Sequence, residues 1–475
     1  MDYILKQILI HPFIYLVLFY VVIIVITYTI MLLFSLFALW KDHQLNRLNL
    51  YEELNDIQFS KPVSILVPAY NEQQNIIDTV QSLLGINYPE YEIIVINDGS
   101  KDKTLNVLIE NFKMQKVEKV VRKQIDTNSI RAIYQSTINK KILLVDKENG
   151  GKADALNCGI NVSKYPFFCS IDGDCILDTN SLLRVMEPII QSDDVIATGG
   201  SVKIANGSDI QMGSILSVGF STKPLVIMQV IEYFRAFLMG RIAFSKSNMV
   251  LIISGAFSVF SKKHVIEAGG YLRNTIGEDM ELVVRLHRLM REKKEKKKIV
   301  FVPDPVCWTE APETVQTLRR QRSRWHQGLI ESLWKNRQMM LNPKYGRIGM
   351  IAFPYYLLIE CIGPVVELGG YIYVIYAFFT GQVYFEFAVL LLLLFILYGT
   401  LFSMLSIVLE GWTMKNYPKI KDLLNLLILS FTEVLWYKPL TLFFRLEGLV
   451  NYFARKSSWG EMTRKGLDRK VGKTE

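Results

Sequence analysis

The sequence predicts an α/β domain with a mostly parallel sheet, carried on α-helical membrane segments. Three observations lead there. No formally charged residue occurs between Gln7 and Trp40, and a second apolar region opens near Ile348. Between the two, short β-rich runs alternate with helical patterns. That alternation is the signature of a parallel sheet covered by helices, with ligands at the carboxyl ends of the strands.

The chain has 475 residues, 54 Lys and Arg against 45 Asp and Glu (a formal charge of +9), 50% hydrophobic residues and a mean hydropathy of +0.22. Such a length has room for a large catalytic domain and a further unit. The composition excludes a disordered or fibrous chain and argues against an ordinary soluble one. The net charge suggests nucleic acid only while the apolar segments are ignored, so no nucleic-acid partner is expected. Cys158, Cys169, Cys175, Cys307 and Cys361 are scattered without a CxxC pair, which makes a disulfide scaffold or a zinc site a poor expectation.

Phe13–Leu39 gives 27 uncharged positions; as a helix these reach about 40 Å, more than the roughly 30 Å hydrocarbon core. The stretch is too long for a signal peptide and lacks a small-residue cleavage site. Lys41, His43 and Arg47 outweigh Asp42 after it, which predicts a cytoplasmic domain next. Strands are expected at Val63–Val67, Glu92–Ile96, Ile142–Val145, Phe167–Ile171 and Ile299–Val302, with a helix around Ile76–Leu84. Arg291–Lys298 reads as a solvated helix end. Leu368–Phe385 and Phe387–Leu409 predict a hairpin of spans turning near Glu386, while Ile348–Ile359 reads as an interfacial helix and Leu423–Thr432 as an interfacial or re-entrant element. Glu360 and Glu367, seven apart, either line a polar path or sit at headgroup depth. The basic tail (Arg455, Lys456, Arg464, Lys465, Arg469, Lys470, Lys473) belongs beside anionic lipid on the cytoplasmic side. The expected division is an N-terminal transmembrane helix (1–45), a linker (46–60), a cytoplasmic α/β domain (61–345), interfacial and transmembrane helices (346–455) and a basic cytoplasmic tail (456–475), with roughly three spans.

The residues that carry chemistry follow strands. Asp98 ends EIIVIN-D and begins DGS, and Asp172 and Asp174 follow FFCSI as a D-G-D. Two carboxylates one residue apart at a strand end can offer oxygens to Mg²⁺ or Mn²⁺, which also needs phosphate oxygens and water. Gly277-Glu278-Asp279 opens a helical pattern, where Asp279 could simply complement the helix dipole. In Gln321-Arg322-Ser323-Arg324-Trp325 the arginine can clamp a diphosphate while the tryptophan stacks on a sugar, or the group can be an interface anchor.

Taken together, VPAYNE (Val67–Glu72), NDGS (Asn97–Ser100), NGGKADALN (Asn149–Asn157), DGD (Asp172–Asp174), GED (Gly277–Asp279) and QRSRW (Gln321–Trp325) resemble the membrane-embedded family 2 glycosyltransferases, among them cellulose, hyaluronan, chitin and poly-N-acetylglucosamine synthases. The resemblance covers roughly residues 60–330, and Q-x-x-R-W marks the processive members. It implies a GT-A fold, a Rossmann-like nucleotide-sugar-binding domain attached to a transmembrane bundle with interfacial helices. It also implies that Pro68, Tyr70 and Glu72 form the nucleotide-recognition turn, that Asp98 holds the uridine, and that Lys152 and Arg324 lie at the diphosphate. On the same grounds Asp172 and Asp174 hold the metal, Asp279 is the general base, and Gln321, Trp325 and Glu278 meet the acceptor. Ser254-Gly255-Ala256-Phe257 resembles the loop beneath the acceptor terminus. Gly277 departs from the family's T-E-D, and no C-terminal segment resembles a cyclic-dinucleotide receptor.

The expected reaction is inverting, metal-dependent transfer from a UDP-sugar to a growing β-linked polysaccharide, with passage of the product through the membrane. The metal, Lys152 and Arg324 would stabilise the leaving diphosphate while a carboxylate takes the acceptor's proton. The expected setting is the plasma (inner) membrane, multi-pass, with membrane lipids as neighbours and accessory export subunits left open. Two alternatives stand beside this: a non-processive transferase adding one sugar to a lipid-linked acceptor, and a non-catalytic export component. An ATP-driven pump is disfavoured, because Gly150-Gly151-Lys152 is followed by Ala153 and Asp154 and not by Ser or Thr. The sugar itself is not readable; N-acetylglucosamine is preferred by resemblance alone.

Overall fold

The computed structural model describes residues 11–46, 60–211, 213–381, 385–413 and 420–455. Arg47 and the basic positions from Lys456 onward lie outside the described residues.

Four buried parallel strands form the centre of the main sheet. They are β1 (Val63–Ala69), β2 (Tyr91–Asp98), β5 (Ile142–Lys147) and β6 (Phe167–Ile171), side by side in the order β5-β2-β1-β6. Helices cover both faces, so these strands read as unbroken apolar runs instead of alternating. The Ile76–Leu84 helix presents Ile76, Val80 and Leu83 to this core. β3 (Met114–Val117) and β4 (Ile130–Ser136) form an antiparallel hairpin on the β5 side. Beyond β6 come β11 (Phe257–Ser261), β8 (Val195–Ile204), β12 (Lys298–Thr309) and β7 (Ile176–Leu177), while β9 (Asp209–Gln211) and β10 (Ser214–Ser217) make a separate ribbon.

The sheet is therefore parallel at its centre and mixed overall, because β11 runs antiparallel to both β6 and β8. β8 and β11 were not expected from the sequence. Gly199-Gly200 in the middle of β8 has the look of a turn, yet both residues are extended and buried. A Cβ on Gly199 would lie 2.3 Å from Ile253 Cγ2, and one on Gly200 2.2 Å from Phe257 Cδ1. The glycines admit those side chains against the strand. β12 runs well past the expected Val302, through a register shift between Val302 and Val306 that accommodates Pro303 and Pro305.

Outside the α/β domain, His11–Asn46 is one helix, and its Tyr15–Ala38 portion is long and apolar enough to cross a bilayer. It packs on the segment Tyr356–Cys361 and the helix Phe385–Thr413: the Tyr20 hydroxyl donates to Ile359 O at 3.4 Å, and the Tyr398 hydroxyl donates to Val25 O at 3.1 Å. Two apolar helices, Gly363–Phe379 and Phe385–Thr413, stand where the hairpin was expected, and residues 382–384 between them lie outside the described residues. Ile348–Cys361 and Gly363–Phe379 form a pair bent by 40°, which can be counted as a single broken span.

Leu423–Thr432 is not a short interfacial piece. The helix Ile420–Thr432 continues through a π-helical turn, Glu433–Tyr437, into the helix Lys438–Phe453, and Leu424–Phe453 is the second candidate span among the described residues. Glu433 follows the apolar run directly, and Arg235 neutralises it: Nη1 donates to Glu433 Oε2 at 2.6 Å, Nη2 pairs with Oε1, and Nη1 also reaches Ser403 Oγ at 2.9 Å. Arg235 itself begins a π-helical segment, Arg235–Arg241, and a third spans Tyr356–Cys361.

Candidate active site

The carboxyl ends of β1, β2 and β6 open on one cavity, as expected for a parallel sheet. β1 leads into Pro68–Glu72, a turn in which Asn71 takes a left-handed φ of 57°. The turn is tied to the loop after β2: Lys101 N donates to Asn71 Oδ1 at 2.8 Å, and Glu72 N donates to Thr104 Oγ1 at 2.9 Å. Tyr70 is exposed and Pro68 and Glu72 half-buried, so the turn forms a rim. Gly99 completes it with a φ of 65°; a Cβ there would sit 2.9 Å from Asn149 N.

Asp98 is buried beneath this rim, and its carboxylate organises the next loop. It pairs with Lys147 Nζ at 2.6 Å and accepts from Gly150 N at 3.0 Å and Gly151 N at 2.8 Å. Lys147 is fully buried and also pairs with Asp154 at 2.6 Å. Burial works to lower its pKa, but Asp154 and Asp98 hold it above the ordinary value. Asp98 thus fixes where the helix Lys152–Val162 starts, and with it the base of the Lys152 side chain.

Asp172 and Asp174 follow β6. Asp172 is 29% exposed by its side chain, while Asp174 is buried with Cys175 Sγ donating to its Oδ1 at 3.7 Å. Lys152 Nζ lies 2.5 Å from Asp172 Oδ1 and 3.6 Å from Glu278 Oε1. Burial tends to lower the lysine's pKa, and Asp172 and Glu278 raise it well past the usual range. Glu278 is pushed up to about 7 by burial, against the pull of Lys152 and with the help of Asp279. Asp279 accepts from Gly255 N at 3.1 Å and Met280 N at 2.8 Å, so the Ser254–Phe257 stretch directly orients it. Among the described residues no group of three or more His, Cys, Asp or Glu side chains is arranged to hold a metal ion alone. Two carboxylates at a strand end fit a hard cation that takes its remaining ligands from phosphate and water.

The helix Val315–Lys335 brings QRSRW to the same cavity. Trp325 is 44% exposed, and Tyr233 lies 6.4 Å away, ring to ring. Arg324 and Gln321 line the cavity, both half-buried. The unexpected member is Arg322. Its guanidinium lies 4.4 Å from the Trp325 ring centroid and pairs with Glu232 at 2.8 Å, and Glu232 also accepts from the Tyr437 hydroxyl at 2.6 Å. An arginine three residues before a tryptophan on a helix shares its face, the one signal in the sequence that pointed there. Glu232 and Tyr437 gave none.

The departure at Gly277 has a packing explanation. A Cβ there would lie 3.0 Å from Gly328 Cα, and one on Gly328 2.9 Å from Gly277 Cα. The two backbones cross without a side chain between them, and Ile276 N donates to Glu331 Oε2 at 2.9 Å beside the crossing. Glu278 and Asp279 are thereby held close to the helix that carries Trp325.

The cavity encloses about 2390 Å³ and does not end at the α/β domain. Its wall continues from Asp279 and Trp325 past Glu360, Glu367, Lys438 and Arg445 on the apolar helices. Glu360 pairs with Arg445 at 3.3 Å and accepts from the Tyr355 hydroxyl at 3.2 Å. Both glutamates line this cavity, although a bend at Ile362 separates the segments that carry them.

Residues 61–328 match the family described as glycosyltransferase like family 2. Poly-beta-1,6-N-acetyl-D-glucosamine synthase of Staphylococcus epidermidis is 31% identical over 301 residues, which is 62% of this chain and 61% of that protein. The synthase of the same name from Staphylococcus aureus strain COL is 30% identical over 299 residues, 62% of this chain and 60% of its own. The chain thus spans about three fifths of the length of the curated relatives it matches. A mannosyltransferase of Pyrobaculum calidifontis, solved with GDP-Man and Mn²⁺, superposes with a TM-score of 0.50 at 18% identity, over 86% of this chain and 99% of that one, which is a likeness of fold.

Proposed function

Because the chain belongs to the glycosyltransferase like family 2, we infer that it is a processive polysaccharide synthase of the plasma membrane, inverting and metal-dependent, using a UDP-sugar on the cytoplasmic side and passing its β-linked product into the bilayer. The observation that carries this reading is the single cavity running from Asp172 and Asp279, past Trp325, to Glu360 and Arg445 between the apolar helices. A one-step transferase has no use for a polar path beyond its acceptor site. The preferred donor is UDP-N-acetylglucosamine, in keeping with the activity named for the staphylococcal relatives.

In this reading the Pro68–Glu72 rim receives the nucleotide, with Tyr70 exposed for contact. Asp172 and Asp174 would hold Mg²⁺ or Mn²⁺, which supplies charge stabilisation to the leaving diphosphate. Lys152 and Arg324 add positive charge there. Asp279 takes the proton of the acceptor hydroxyl as it attacks the anomeric carbon, and direct displacement inverts the donor's linkage. The Gly255 N–H bond to Asp279 keeps the receiving oxygen oriented. Glu278, protonated up to about pH 7, can donate a hydrogen bond to the acceptor sugar. Trp325, backed by Arg322 and Tyr233, offers the stacking face for the terminal ring.

The test is product size. Purified protein in lipid nanodiscs is given several UDP-sugars separately, with Mg²⁺ or Mn²⁺, and the products are weighed by mass spectrometry. A ladder spaced by one N-acetylhexosamine mass is expected. A single addition to lipid would replace the polymerase with the one-step transferase, and no product with any donor would favour an export component.

A further inference from the structure

Lys152 touches the wrong partner for a residue that serves only a diphosphate. Its backbone is fixed: Asp98 holds Gly150 and Gly151 through their N–H groups, and Lys152 is the first residue of its helix. Its side chain is long and 21% exposed into the cavity, and its ammonium ends 2.5 Å from Asp172, one of the two carboxylates suited to the metal. Glu278 Oε1 lies 3.6 Å from the same ammonium. Beside it Gly255 presents no side chain; a Cβ there would come within 3.0 Å of Lys152 Nζ. The ammonium therefore meets two acids at once, and the missing side chain at Gly255 leaves it room to move.

We propose that Lys152 is a two-position counter-ion, capping Asp172 while the site is without donor and turning away from it when the cation arrives together with the nucleotide diphosphate. The inference rests on the metal-dependent reading above and adds an order of binding to it. A divalent ion approaching Asp172 alone meets an ammonium already at contact distance and must displace it against its own repulsion. A cation carried on a diphosphate brings the anionic oxygens that receive the displaced ammonium. Asp172 and Asp174 then serve the complex, and the protein does not collect free divalent ions between turnovers.

The experiment measures Mn²⁺ binding, not turnover. Full-length protein in nanodiscs is titrated with Mn²⁺ alone and with Mn²⁺ plus UDP, and free Mn²⁺ is followed by electron paramagnetic resonance. Wild type should bind Mn²⁺ weakly alone and about tenfold more tightly with UDP, whereas Lys152→Met should bind it alone about tenfold more tightly than wild type and gain little from UDP. Lys152→Arg keeps the charge and should behave as wild type, which separates loss of the counter-ion from damage to the fold. Equal affinity of wild type and Lys152→Met for Mn²⁺ alone would overturn the proposal and leave the glycosyltransfer reading standing. Failure of wild type to take up Mn²⁺ even with UDP would overturn the metal-dependent reading, and this proposal with it.

Discussion

The two ends of the cavity handle charge in opposite ways. On the α/β side Asp172, Glu278 and Asp279 crowd around Lys152, and the lysine is shared between Asp172 at 2.5 Å and Glu278 at 3.6 Å. On the membrane side two of the acids sit in closed pairs. Arg235 grips Glu433 through two nitrogens with Ser403 bridging, and Arg445 holds Glu360. An unbalanced group is useful where a charged donor must bind and a proton must move. A compensated wall suits an uncharged chain that has to slide past without being caught, and inside a bilayer it also avoids the cost of a lone ion.

The sharpest way to break the contrast is at the reactive end. Asp279→Asn should lower polymer formation by roughly 10²–10⁴-fold while UDP binding stays near wild type; a product ladder of normal intensity would remove Asp279 from its role as base. On the paired side, Glu433→Gln leaves Arg235 without its carboxylate and should cost about 3 kcal/mol of stability, read as a lowered thermal transition in nanodiscs. The double variant Arg235→Met, Glu433→Leu should recover most of it, since replacing a buried pair by apolar groups is often neutral.

Smaller effects refine the comparison. Gly277→Thr restores the family residue but inserts a side chain into the Gly328 crossing, and should cost roughly 1–3 kcal/mol. It should lower kcat more than it raises KM for the donor, because it displaces Asp279 from the Trp325 helix and leaves the Pro68–Glu72 rim untouched. The smallest effect is a pH dependence at Glu278. A free glutamate ionises near 4.5, and this one near 7 in the fold. Its burial therefore favours folding fully below pH 4.5, and that contribution is lost as pH rises through 7. Glu278→Gln cannot ionise, so its melting temperature relative to wild type should rise by a few degrees between pH 5 and pH 8.

Much of the reactive end was legible in the sequence. β1, β2 and β6 are buried on both faces, so their apolar runs announce them, and the acids that follow are where a parallel sheet presents its ligands. What escaped detection depends on contacts between residues far apart in the chain. Gly199-Gly200 resembles a turn until Ile253 and Phe257 are found lying on it. Glu433 looks like the end of an apolar segment until Arg235, 198 residues earlier, is placed against it. Arg322 fills a variable position of its motif, and its importance comes from Glu232 and Tyr437, which no local pattern connects to it.

The π-helical turns Arg235–Arg241, Tyr356–Cys361 and Glu433–Tyr437 make chain length a functional variable of the membrane wall. Each widened turn holds one residue more than the α-helical spacing, and in these turns lie Arg235, Glu360 and Glu433. Losing a single residue from such a turn returns the helix to its ordinary pitch, keeps the helix beyond it in phase and moves the residues inside the turn round the axis. Glu360 would then face away from Arg445, or Glu433 from Arg235, with no side chain altered. Divergence along these helices should accordingly be rich in substitutions and poor in one-residue insertions and deletions, a pattern that would mark the wall of the path in any aligned set of sequences.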